Sequence, residues 1–247
     1  MIKKVLLILA ICTISACTDS SKETAVKAAK VSIIFASQDV SEPVDYVWPW
    51  LDSANSRWFY FNTATRPFGL VNLSPDTEID GAWGSGYRYN TIEIKGFNHI
   101  HAWQLSGLSV MPVSSQKTLK SIHNDYYSAF SHDTEIVKAG YHKVSLERYK
   151  VDVELTSTAR VGFHRYQYSS NKNRKVLLDL QGKFGPSELT KGEFHQLSDN
   201  EFNGYIVNQP TRRRPRATPI FFHIELNYHL DLYCNASKMC FSLISFS

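Results

Sequence analysis

Val151-Asp152-Val153-Glu154-Leu155-Thr156 decides the fold class. Apolar and polar residues alternate with a period of two, so Val151, Val153 and Leu155 share one face and the polar residues the other, as in a half-buried strand. Working outward, Arg160 to Tyr168 is β-branched and aromatic on both faces, and Ser169-Ser170-Asn171-Lys172-Asn173 is a turn cluster. Lys175-Val176-Leu177-Leu178-Asp179-Leu180 then reads as a buried strand. Gly140 to Leu146 and Pro219 to Leu226 are further strand candidates, and no stretch supports a helix longer than two turns. Short strands separated by turn signals predict an all-β chain folded as an antiparallel β-sandwich.

Composition agrees. The chain has 247 residues, 43% hydrophobic, 20% charged and 13% aromatic, which excludes disorder, collagen-like repeats and a disulfide-dense miniprotein. Twenty-seven Lys and Arg against twenty-three Asp and Glu leave a net charge of +4, too small an excess to argue for nucleic acid.

The N-terminus sets an expectation about compartment. Met1-Ile2-Lys3-Lys4 is basic, Val5 to Ile11 is apolar, and the run is shorter than the roughly 20 residues that a membrane-spanning helix needs. Ile14-Ser15-Ala16-Cys17 looks like a bacterial lipobox, which implies a signal peptide over residues 1–16 and a lipidated Cys17. By resemblance to known lipoproteins, Thr18 after the cysteine favours the outer membrane, periplasmic or surface-facing, with the lipid as anchor. Residues 17–43 read as a tether, although Val31 to Ala36 also suits a first strand. Cys234 and Cys240 remain in the body, as a disulfide or as two thiols.

Three features carry candidate chemistry. In an extended chain His99 and His101 project from one face, with Phe97 and Trp103 on the same side. Such a pair suits zinc given a third ligand, a sugar beside the aromatic face, or plain structure. Thr65 to Thr77 is an irregular loop around a short apolar strand, where Arg66 is suited to gripping hydroxyls or a carboxylate, or is simply a surface turn residue. Thr211-Arg212-Arg213-Arg214-Pro215-Arg216 reads as a solvated basic loop, or as a dock for anionic polysaccharide or headgroups. No nucleophile elbow, phosphate loop, dinucleotide fingerprint or calcium loop is present, and no catalytic or metal residue is assigned.

Arg66-Pro67-Phe68-Gly69 through Leu73-Ser74-Pro75-Asp76-Thr77 begins a longer series. Gly86-Tyr87-Arg88-Tyr89, Ile94-Lys95-Gly96-Phe97-Asn98-His99-Ile100-His101 and Met111-Pro112 follow in order. Ser131-His132, Ala139-Gly140-Tyr141, Glu154-Leu155-Thr156, Gly162-Phe163-His164-Arg165-Tyr166 and Leu178-Asp179-Leu180 complete it. In this series residues 44–230 resemble the N-terminal domain of glycoside hydrolase family 92, the exo-acting α-mannosidases. The resemblance implies a galactose-mutarotase-like supersandwich that packs, in full-length relatives, against a helical toroid. It implies an inverting, calcium-dependent glycosidase whose carboxylates and calcium ligands come from that toroid, so this chain reads as a truncated fragment, inactive alone and without a cofactor of its own. Arg66, Phe68, His99, His101 and Trp103 would then contact α-mannoside glycans, with a separate helical catalytic domain as a further partner. The competing expectations are a non-catalytic cell-surface mannan-binding lipoprotein and a non-functional remnant. Residues 231–247 resemble nothing in the family and read as a divergent tail.

Overall fold

A computed structural model describes residues 42–55, 64–81, 86–102, 104–117, 122, 125–227, 230–234 and 241–246, with side chains up to residue 227. The chain divides into Met1–Tyr46 and Val47–Ser247. Within the first unit, Pro43–Tyr46 forms a 3₁₀ turn. The strands, and a second 3₁₀ turn at His132–Thr134, belong to the second unit.

In chain order the strands are β1 (Ser74–Asp76), β2 (Glu93–Ile94), β3 (Gly96–Asn98), β4 (His101–Ala102), β5 (Leu105–Ser106) and β6 (Ser109–Ser114). Next come β7 (Ser128–Ala129), β8 (Ile136–Lys138), β9 (Tyr141–Leu146), β10 (Val151–Ser157), β11 (Gly162–Tyr168) and β12 (Arg174–Asp179). The last are β13 (Lys183–Phe184), β14 (Ser187–Gln196), β15 (Glu201–Asn208), β16 (Thr218–Glu225), β17 (Leu230–Cys234) and β18 (Phe241–Phe246). They form a six-stranded sheet in the order β1-β3-β6-β12-β18-β17, a four-stranded sheet β11-β10-β9-β8, and a second four-stranded sheet β13-β14-β15-β16. The ribbons β2-β7 and β4-β5 complete the set. The expected all-β, antiparallel architecture is present.

The alternation in β10 buries Val151, Val153 and Leu155 and turns Asp152 and Glu154 outward. Glu154 there faces Lys143 on β9 and Arg165 on β11, and accepts from Tyr141 Oη at 2.9 Å. On β12, Leu177 joins Phe97, Met111, Val113, Val144 and Val153 in one core. Its neighbours Val176 and Leu178 join Val110, Leu189, Phe202 and Ile206 in another. That is why the Val-Leu-Leu run does not alternate: β12 is buried on both faces.

The tail expected to diverge after residue 230 carries β17 and β18 into this sheet, where Ile244 pairs with Val176 and Leu243 with Leu177. Cys234 ends β17. Residues 1–41, with the leader, Cys17 and Val31–Ala36, lie outside the described residues, as does Cys240.

Candidate functional site

The site grows from a loop laid over the β10–β11 turn. Arg66 N–H donates to Ser157 Oγ at 3.1 Å, and Leu70 N–H to the Ala159 carbonyl at 2.7 Å. Asn72 N–H then reaches the His99 carbonyl at 2.9 Å. Gly69 N–H closes a turn onto the Arg66 carbonyl at 3.0 Å, with Phe68 at its centre at φ 60°. A non-glycine residue in the left-handed region costs roughly 1–2 kcal/mol. Packing does not offset that cost, because the Phe68 ring is fully exposed, at 107%. Leu70, Val161 and Phe163 are exposed apolar neighbours on the loop, the turn and β11.

His99 and His101 do not act as one row. Asn98 Oδ1 accepts from Ile100 N–H at 3.1 Å, and this bend interrupts the chain between β3 and β4. His101 turns into the interior, with Nδ1 2.6 Å from the Asn72 carbonyl, Nε2 2.7 Å from Asp76 Oδ1, and its ring edge-on to Phe184. Both ring nitrogens are engaged within the chain.

His99 is half-buried over Gly162, and its Nε2 lies 2.9 Å from His164 Nε2. The other nitrogen of His164, Nδ1, faces Tyr166 Oη at 2.8 Å. Burial pulls His99 down to about 4 against a helping hydrogen bond to the Leu108 backbone, and burial also holds His164 well below the usual range. Both rings are therefore neutral at pH 7, while burial keeps the Tyr166 phenol protonated.

Arg66, Phe68 and His99 thus converge on the same loop and turn, while His101 supports them from beneath through Asn72. Trp103 lies outside the described residues. Beside it, Gln104 Oε1 accepts from Arg213 N–H at 2.9 Å, which ties the basic loop Thr211–Arg216 to the β4–β5 hairpin. His164 and Tyr166 stand in one of the quoted motifs but were given no site role from the sequence. Their signal was the alternation in β11, which sends Gly162, His164 and Tyr166 to one face and Phe163 and Arg165 to the other.

Each buried carboxylate has partners within the fold. Asp76 holds His101, and Asp179 accepts from Tyr126 Oη at 2.7 Å and Gln181 N–H at 2.8 Å. Glu135 accepts from Tyr87 Oη at 2.9 Å and lies 2.5 Å from His132 Nδ1 and 2.8 Å from His142 Nε2. Burial would raise the Glu135 carboxyl, but the hydrogen bonds from His132 and His142 prevail and bring it down to about 2. His142 Nδ1 is buried with no partner among the described residues.

The donors around the Arg66 loop are imidazole and guanidinium, whereas calcium takes six to eight oxygens. No group of three or more His, Cys, Asp or Glu able to hold a metal occurs among the described residues. The site does not fit calcium.

Comparison with known proteins agrees with this architecture. The family model described as "Glycosyl hydrolase family 92 N-terminal domain" matches residues 46–233. A search of curated proteins found no match. Among solved structures, the family GH92 α-mannosidase of Bacteroides thetaiotaomicron in complex with mannoimidazole superposes with a TM-score of 0.70 at 23% identity, over 83% of this chain and 30% of that one. A family GH92 inverting mannosidase of the same organism gives 0.68 at 18%, over 85% and 30%. The family glycosyl hydrolase ccman5 gives 0.65 at 16%, over 83% and 31%. These likenesses show the fold, and the chain spans about 30% of the length of the first of these structures. The chain belongs to glycosyl hydrolase family 92 and carries that family's N-terminal domain over residues 46–233.

Proposed function

We propose that the face made by the Arg66–Leu70 loop, the Ser157–Gly162 turn and His99 contacts α-mannoside glycans, as the non-catalytic half of a family 92 glycosidase site. The observation that carries this reading is Phe68: its ring stands fully in solvent on a backbone that costs energy to hold, on the loop that carries Arg66 and bonds through Asn72 to the His99 carbonyl. Strain retained without a packing return marks a functional position. An aromatic face stacks on sugar C–H groups, and a guanidinium serves the hydroxyls.

Hydrolysis with inversion needs an acid and a base carboxyl about 6.5–9.5 Å apart across the scissile bond. Here Asp76, Glu135 and Asp179 are committed to structural partners. The reading is therefore of a chain inactive by itself, with the reacting carboxylates and the calcium supplied by a helical catalytic domain. Calorimetric titration of the full chain with mannose oligosaccharides tests the contact: Arg66→Ala and Phe68→Ala should each weaken binding, and unchanged affinity in both removes the assignment. Release of mannose by this chain plus calcium removes the claim of inactivity, whereas binding without cleavage supports it.

The leader supports export and a lipid anchor at Cys17, facing the periplasm or the cell surface from the outer membrane. Metabolic labelling with a fatty acid should mark the wild type and fail in Cys17→Ala.

A further inference from the structure

We propose that His99 and His164 form a two-imidazole site for a divalent transition ion of the copper–nickel kind. The two Nε2 atoms lie 2.9 Å apart, with ring centroids at 4.8 Å and planes tilted by 36°. Two nitrogens bound at about 2.05 Å and at a right angle to one ion stand about 2.9 Å apart, while a tetrahedral ion spreads them to about 3.3 Å. The observed spacing fits the right-angle arrangement that square-planar and octahedral ions share, so copper(II) and nickel(II) are favoured over zinc.

The rest of the environment suits the same reading. Ligating imidazoles are held by hydrogen bonds at their other nitrogen. His164 has the Tyr166 hydroxyl at 2.8 Å from Nδ1, and the His99 ring has the Leu108 backbone carbonyl. A Cβ on Gly162 would stand 2.5 Å from His99 Cδ2 and 2.9 Å from His99 Nε2, so only a glycine leaves this approach open.

The proton count also closes. With the His99 Nδ1–H donating to the Leu108 carbonyl, the proton between the two Nε2 atoms belongs to His164. Entry of an ion moves that proton to His164 Nδ1, and the Tyr166 hydroxyl turns from donor to acceptor. No proton need be released, and water completes the coordination.

The test uses the untagged full chain, titrated at pH 7 with copper(II) or nickel(II) and followed by calorimetry and electron paramagnetic resonance. The expected result is one ion per chain, with nitrogen splitting from two imidazoles. His99→Gln and His164→Gln should each weaken binding at least about 10-fold, and Tyr166→Phe about 10-fold, the scale on which outer partners act. His132→Gln should leave binding unchanged. Absence of binding, or the same affinity and spectrum in a folded His164→Gln chain, overturns the proposal. Should the variants not fold, paramagnetic broadening in the unmodified chain decides. Broadening centred on Leu73 and Gly162 supports the site, and broadening centred elsewhere overturns it.

Discussion

Phe68 and Glu135 represent two kinds of residue in this fold, one strained and one saturated. Glycine adopts the left-handed φ of Phe68 without penalty but gives back some of the gain through a freer unfolded chain. Phe68→Gly should therefore stabilise the domain by about 1 kcal/mol in urea unfolding while weakening glycan binding. Loss of both stability and binding would show that the ring packs. Glu135 sits among Tyr87, His132 and His142, and exchange for its neutral isostere leaves those donors mismatched in the interior. Glu135→Gln should cost about 3 kcal/mol, read from the urea midpoint. Acidification probes the same groups. His99 is held at about 4 in the fold against 6.5 in the unfolded chain, so the unfolded state takes up the proton first and stability falls as pH drops from about 6.5 to 4. Glu135 is held at about 2 against 4.5, so its contribution is present above 4.5 and lost as pH falls towards 2. His132, raised by its hydrogen bond to Glu135, acts in the other direction: its contribution is present at low pH and fades as pH rises through its folded value. Urea midpoints measured from pH 7 to 3 should fall throughout, and His99→Gln should flatten the upper part of that curve.

Strands and turns explain what could be read in advance. The alternation of β10 and the turn after β11 were legible because each depends on local spacing, and the apolar run of β12 was legible as buried because both its faces meet a core. The site was less legible. Arg66 and Phe68 stand in a motif, but the bend at Asn98 separates His99 from His101, and a two-residue spacing cannot reveal an amide side chain closing a turn. His164 meets His99 from 65 residues away, a pairing set by how β11 lies beside the loop. The register of this strand gives the element-scale prediction. Gly162→Ala should push the His99 ring away, break its bond to His164 and cost about 1–3 kcal/mol. Unchanged His99 and His164 signals in the NMR spectrum of that variant would contradict this packing.

The whole second unit is organised about one sheet that both cores share. Leu177→Ala removes packing from one core and should cost about 2–5 kcal/mol. Because Val176 and Leu178 on the same strand serve the other core, Leu177→Ala should lower both cores together. Methyl signals of Val153 and Ile206, one from each core, should vanish at a single urea concentration, and two separated midpoints would show that the cores melt apart. The position of β12 also orders events during synthesis. One edge of β12 pairs with β6, made about sixty residues earlier, and the other waits for β18 at Phe241–Phe246. Until β18 has been made, the buried strand β12 has an unpaired edge, open to any other nascent chain. Assembly of this sheet is thus timed by the synthesis of β18, and a chaperone that shields strand edges would act on the interval between β12 and β18.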